Sequence, residues 1–96
     1  MKKNKSIKFW VVGKNYFIRT VTHHLMGTLI SFDDKELILK NASWIADDGR
    51  FHKFLIGEYT ASLEVEPFPK DMLVCIGRNT IIDSVQWNLS LLREPK

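Results

Sequence analysis

The sequence predicts one mostly β domain, a small barrel or a strongly bent antiparallel sheet of six or seven short strands with at most one short helix. Short apolar and β-branched runs alternate with polar turns along the whole chain, which is typical of strands. Almost no stretch has the periodicity of an amphipathic helix. The 96 residues are 45% hydrophobic and 26% charged, an ordinary globular composition. A chain this short buries a thin core, so we also expect a homo-oligomer.

Two apolar runs predict the first strands. Ile7 to Val12 is rich in β-branched and aromatic residues, so we expect it to be the first strand. Tyr16 to Thr22 has the same composition and a period of two, so its odd-numbered and even-numbered side chains point to opposite faces. The odd-numbered face carries Arg19.

A β-hairpin is predicted next along the chain. Leu25 to Phe32 contains Gly27, where we expect a bulge or a bend that curls the sheet. Asp33 to Lys35 is a compact polar turn, which predicts that this strand pairs antiparallel with Glu36 to Lys40. Asn41 to Ile45 then extends or bends the second strand of the hairpin.

The second half of the chain predicts two more strands, preceded by two segments that the pattern leaves ambiguous. Phe51 to Ile56 is too short to decide between one helical turn and a strand. Gly57 to Asp71 contains two prolines, so we expect an edge strand or a loop there. Met72 to Ile76 predicts a short buried strand. Ile81 to Leu92 has the cleanest alternation in the chain and predicts the last strand.

One domain is expected to cover residues 1–96, with residues 1–6 as a basic amino-terminal arm. The first 32 residues carry six basic and no acidic side chains, whereas the rest carries eight basic and eleven acidic ones. Such an arm attracts phosphate or an acidic partner, or serves as a solubilising tail. Cys75 has no second cysteine to pair with and lies in an apolar run, so we expect it to be reduced and buried. No stretch resembles an export signal or a membrane span, which predicts a cytoplasmic protein.

No pattern in the sequence predicts catalysis, a metal or a cofactor. His23, His24 and His52 lack the spacing of a zinc site, because adjacent strand residues point to opposite faces. The acidic pairs Asp33-Asp34 and Asp47-Asp48 are explained as turn formers. We therefore expect a protein that binds a partner and is not an enzyme.

Arg19 is the strongest candidate for a binding residue, because a guanidinium within a strand of aromatic residues needs a counterpart. Its planar fork grips phosphate or carboxylate, and neighbouring aromatic rings stack on a base. The alternatives are an internal ion pair with Glu36 or Asp83, or exposure to solvent. The ligand-binding residues expected on the first interpretation are Arg19, Tyr16, Phe17, His23, His24, Lys40, Asn41 and Trp44.

The middle of the chain resembles a family of small, mostly uncharacterised proteins encoded by tailed bacteriophages. The residues that carry the resemblance are Phe17-Ile18-Arg19-Thr20, Gly27-Thr28-Leu29, Glu36-Leu37-Ile38-Leu39-Lys40-Asn41-Ala42 with Trp44, and Ile81-Ile82-Asp83-Ser84-Val85. The resemblance covers about residues 16–92. It implies a non-catalytic, homo-oligomeric binding protein in the cytoplasm of an infected bacterial host. We expect an anti-defence sponge that sequesters a small anionic, nucleotide-derived immune signal.

A second resemblance, at the level of fold, favours a different function. The hairpin from Gly27 to Ala42 is similar to the strand-turn-strand of Sm-type small barrels, which bind RNA as rings. The combination of Asp-Gly and Arg-Gly that forms their RNA pocket is missing, so specific RNA binding is not implied. The alternative function is a small-barrel module that binds nucleic acid or protein through the basic arm, with no membrane as a partner.

Overall fold

Six antiparallel strands form one sheet in the computed structural model, which describes residues 7–96. The strands are β1 (Asn15–Thr20), β2 (His24–Phe32), β3 (Glu36–Asp47), β4 (Glu64–Pro67), β5 (Val74–Gly77) and β6 (Ile81–Gln86). One short helix, α1, spans Phe51–Leu55, and a 3-10 turn spans Arg78–Thr80. The order across the sheet is β4-β3-β2-β1-β6, and β5 also pairs with β3. The predicted mostly β fold is therefore confirmed, and the predicted arm at residues 1–6 lies outside the described residues.

The sheet is strongly bent but does not close into a barrel. A straight strand of the length of β2 would span about 30 Å. However, the turns at the two ends of β2 both contact the 3-10 turn, because Arg78 N donates to Lys35 O and Val21 N donates to Thr80 O, each at 2.9 Å. The two ends of β2 are thus drawn together. β5 and β6 flank the 3-10 turn without pairing with each other in the described part of the chain, so the sheet stays open.

Gly27 lies at an irregularity in the pairing between the two longest strands, β2 and β3. The β2–β3 register shifts between Met26 and Thr28. A Cβ added to Gly27 would lie 3.1 Å from Ala42 Cα and 3.2 Å from Leu39 Cβ, which is closer than ordinary packing allows. A side chain at this position would therefore push against the facing strand, and the predicted bend is confirmed.

Both faces of the sheet are covered by apolar side chains. Alternate residues of β1 belong to different clusters, because Tyr16 and Ile18 point to one face and Phe17 to the other. The inner cluster, inside the bend, consists of Tyr16, Ile18, Leu25, Leu29, Leu37, Leu39, Ala42 and Ile76. The outer cluster consists of Phe17, Met26, Ile45, Phe54, Leu63, Val65 and Trp87. The segments outside the sheet fold over these two faces.

The segment Ile7 to Val12 is not a strand, so that prediction was wrong. Its backbone groups bond to side chains instead of a neighbouring strand: Val11 N donates to Tyr16 Oη at 2.8 Å, and Tyr16 Oη donates to Phe9 O at 2.6 Å. Phe9 and Trp10 pack against the inner cluster. The aromatic and β-branched composition of this segment reflects the burial of its side chains, and buried side chains need not belong to a strand.

The chain after β6 also differs from its prediction. β6 ends at Gln86, whereas the alternating pattern predicted a strand to Leu92. The chain turns away from the sheet, where Trp87 Nε1 donates to Ser90 O at 3.1 Å, and then crosses the outer cluster, where Leu92 N donates to Met26 Sδ at 3.3 Å. Leu91 and Leu92 pack against that cluster, so part of the apolar pattern arises without a ladder.

Two further predictions are settled by the structure. The ambiguous segment after residue 50 is helical: Phe54 is fully buried in the outer cluster, while Phe51 is 37% exposed. Cys75 is exposed, contrary to the prediction, because β5 turns Ile76 towards the inner cluster and Cys75 away from it.

Among the described residues, no helix has the length and apolar composition that a membrane crossing requires.

Candidate functional site

Arg19 is held by an acid of its own chain. It lies directly opposite Asp83 across the β1–β6 pairing, and its Nε and Nη2 bond to Oδ1 and Oδ2 at 2.8 and 2.5 Å. The guanidinium also stacks over the Phe51 ring at 4.5 Å from the centroid. The hydrogen bond raises the pKa of Arg19 and lowers the pKa of Asp83 below its usual value. Of the alternatives that the sequence left open, the structure shows the ion pair with Asp83.

His24 pairs with a second carboxylate, beside the Arg19–Asp83 ion pair. It is the β2 residue opposite Arg19, and its Nδ1 donates to Asp48, 2.9 Å from Oδ1. The imidazole packs edge-on against Phe17 at 5.7 Å between centroids. The Asp48 side chain is only 10% exposed, so this carboxylate is part of the packed structure.

The sequence did not predict Asp48 as the partner of His24. The pair Asp47-Asp48 looked like a turn, and Asp47 does form one, since its Oδ1 accepts from Gly49 N at 2.8 Å. Asp48, one residue later, points instead to β2. No local pattern distinguishes the two acids, because their roles depend on which strand lies next to each of them.

Of the other predicted ligand-binding residues, Phe17 packs beside Arg19 and His24, whereas the rest lie elsewhere. Tyr16 and Phe17 are buried in opposite clusters. His23 bonds to the hydroxyl of its neighbour in the turn and packs against Trp44 at 5.5 Å between centroids. These placements do not bring the aromatic rings together around Arg19 as open stacking surfaces.

Lys40 and Asn41 lie further along the hairpin. Lys40 pairs with Thr28, four positions along β2 from His24, which corresponds to about 13 Å in an extended strand. Its Nζ lies 3.4 Å from Asp71 Oδ1. Asn41 has a φ of 53° and marks the bend of β3. Both residues are therefore separated from the Arg19–His24 pair.

The outer edge of β6 carries backbone groups that point away from the sheet. Trp87 N donates to Asn15 O at 2.8 Å, which fixes the alternation of the β1–β6 ladder. Val85 and Asp83 therefore bond to β1, and the N–H and C=O of Ser84 and Gln86 point outwards. No partner for these backbone groups is found among residues 7–96.

A cavity of about 300 Å³ opens beside the end of this edge. It is lined by Leu55, Val85, Gln86, Trp87, Asn88 and Leu89. Val85 and Leu89 remain 38% and 39% exposed, and Ile56 nearby in sequence is 48% exposed. An unpaired edge and a partly apolar cavity are thus adjacent, a combination that the alternating pattern of the sequence did not indicate.

Comparisons with known proteins identify no relative, since no family model, curated protein or solved structure matches the chain. In the part of the chain that the structure describes, no group of three or more His, Cys, Asp or Glu side chains is placed to hold a metal ion.

Proposed function

We propose that the chain is a non-catalytic binding module whose protein partner adds a strand to the outer edge of β6. The observation that carries this proposal is the outward orientation of the Ser84 and Gln86 backbone groups. In strand addition, main-chain hydrogen bonds supply affinity, and pockets for alternate side chains supply specificity. The cavity beside Val85 has the size and the apolar lining to take one such side chain.

The charges near this edge favour a protein partner over a phosphate-bearing one. Asp83 is the one charged residue within β6, and Arg19 bonds to it. The edge therefore offers no unpaired cation of its own, whereas nucleic acid binding depends mainly on lysine and arginine contacts to phosphate. A basic amino-terminal arm would have to supply such contacts from outside the described residues.

The nucleotide-sponge hypothesis stays a prediction that rests on the phage resemblance, as does a site of action in the cytoplasm of an infected bacterium. At Arg19, the carboxylate of Asp83 already occupies the Nε and Nη2 side of the guanidinium, which leaves the Nη1 side for a ligand phosphate. A panel of cyclic dinucleotides, cyclic trinucleotides and cyclic ADP-ribose isomers tests the hypothesis, because a true ligand raises the melting temperature further as its concentration increases. No shift with any compound would contradict it.

Selection from a library of random linear peptides tests strand addition directly. The wild-type chain is expected to enrich extended, apolar peptides, and Ser84→Pro is expected to lose this enrichment because it removes an outward N–H. Val21→Lys serves as the control, since Val21 is 70% exposed and bonds to Thr80, which places it beyond the start of β6 and off the outward edge at Ser84 and Gln86. Equal enrichment on wild type and Ser84→Pro, with circular dichroism showing that both are folded, would contradict the proposal.

A further inference from the structure

We infer that the strand bound at the β6 edge is β6 of a second copy, so that two chains form a twofold dimer with one continuous sheet. This inference rests on the proposed function and names its partner. The surface that each copy would present is the outward edge at Ser84 and Gln86, together with the exposed apolar side chains of Val85 and Leu89. A twofold contact requires one surface to match itself, and β6 meets that requirement in two respects, charge and register.

The charge of β6 permits self-pairing. Exposed edge strands are usually protected from pairing by lysine, proline or an unpaired charge. β6 contains neither lysine nor proline, and its one charged residue, Asp83, is bonded within its own chain to Arg19. Two copies of the strand can therefore approach without bringing unpaired like charges together.

The register of the pairing follows from the direction of the backbone groups. Because Ser84 and Gln86 point outwards, an antiparallel partner strand can exchange both backbone hydrogen bonds with each of them. If the twofold axis passes beside Val85, then Ser84 of each copy pairs with Gln86 of the other. Val85 faces its own equivalent in a non-hydrogen-bonded pair, where side chains are closest. This register buries apolar surface against apolar surface next to the cavity.

The alternative register, centred on Ser84, is less favourable. It would set Asp83 of each copy against Val85 of the other, which places a carboxylate beside an apolar side chain and removes water from it. It would also move the two Val85 side chains apart. The geometry therefore favours the axis at Val85, and because a single strand pair buries a small area, we expect a weak dimer in the micromolar range.

Disulfide trapping distinguishes the two registers. In a Cys75→Ser background, which removes the exposed natural cysteine, we expect Val85→Cys to form a covalent dimer under mild oxidation. The two Val85 Cα atoms would be about 4.5 Å apart in this register, within reach of a disulfide. Ser84→Cys is the matched control, because its two Cα atoms would be about 8 Å apart, beyond that reach.

Sedimentation velocity over a range of concentrations provides the second readout. Val85→Lys is expected to raise the dimer dissociation constant at least tenfold, because it places two like charges on the axis. Val21→Lys makes the same change on a different exposed valine and should leave the constant unchanged. Equal behaviour of the two lysine variants, a wild type that is monomeric at every concentration, or stronger trapping at Ser84 than at Val85 would overturn the inference.

Different results would exclude the dimer alone and strand addition in general. A monomeric wild type that still enriches peptides in a Ser84-dependent manner would exclude the second copy and retain strand addition. A monomer that also shows no Ser84-dependent enrichment would remove both.

Discussion

At the β4 edge of the sheet, Val65 and Lys96 exchange backbone hydrogen bonds of 3.0 Å in both directions, whereas at the β6 edge Ser84 and Gln86 have no such partner among residues 7–96. β4 also carries two glutamates and Pro67, while β6 carries the single, internally paired charge of Asp83. The first edge is therefore covered by its own chain and contains residues that oppose further pairing. Within residues 7–96, the second edge has neither form of protection.

This difference has a physical consequence for function. Unprotected strand edges form sheets with other chains, and proteins usually prevent this by covering, charging or shortening the edge. The carboxyl-terminal segment lies on the β4 side of the sheet, where Arg93 bonds to the carbonyl oxygens of Ala42 and Phe68. The same device is absent beside β6 within the described residues. An edge left open next to an apolar cavity is the property expected of an interface.

The largest expected effect comes from breaking the covered edge. Arg93→Ala removes the guanidinium that bonds to Ala42 O, to Phe68 O and to Ser43 Oγ. Phe68 O would lose this donor and Ala42 O would keep only Phe68 N, so the loss of these charge-assisted bonds should lower the free energy of unfolding by about 2–4 kcal/mol. Chemical denaturation measures this change. Arg50→Ala, at an exposed arginine, is the control and should change stability by less than about 0.5 kcal/mol.

Proline substitutions in β6 distinguish the side of the strand that bonds to β1 from the side that faces outwards. Val85→Pro removes an N–H that the ladder directs to β1, so it should lower stability by about 2–3 kcal/mol. Ser84→Pro removes an N–H that points outwards, so its cost to the folding of one chain should be below about 1 kcal/mol. Denaturation at low protein concentration separates the two. Equal losses would show that the deduced orientation of β6 is wrong.

The smallest effect concerns the ion pair on β6. Both side chains are substantially exposed, so Asp83→Asn should cost no more than about 1 kcal/mol at neutral pH. Arg19 lowers the pKa of Asp83 in the folded chain, so the stabilisation is present above the pKa of an unfolded aspartate. It is lost as the pH falls through the lower folded-state pKa. The stability difference between wild type and Asp83→Asn should therefore disappear in acid, and a difference that grows in acid would contradict this assignment.

Much of the fold was predictable because its signals are local. The polar turn between β2 and β3 and the position of Gly27 both indicated the bent hairpin that the structure contains. The segment Ile7 to Val12 was wrongly predicted to be a strand, because its aromatic side chains pack on the inner cluster without a strand partner. The pattern beyond Gln86 was wrongly predicted to be a strand for a related reason, since Trp87, Leu91 and Leu92 pack on the outer cluster without a strand partner.

The candidate site was less predictable because it depends on contacts between distant segments. That Arg19 meets Asp83 depends on the β1–β6 register, and the sequence could only name Asp83 as one of two acids. Asp48 was assigned to a turn, although it reaches back to His24. The open edge of β6 is a property of strand order, which no local pattern specifies.

Amide hydrogen exchange at β6, followed as a function of protein concentration, is the direct test of whether the outer edge of β6 is a binding surface. The Val85 amide should be protected at every concentration, because its N–H faces β1. The Ser84 and Gln86 amides should exchange rapidly in dilute protein and become protected as the concentration rises. Fast exchange of both amides at all concentrations and with every selected peptide, or full protection of both in the dilute monomer, would contradict the claim that this edge is a binding surface.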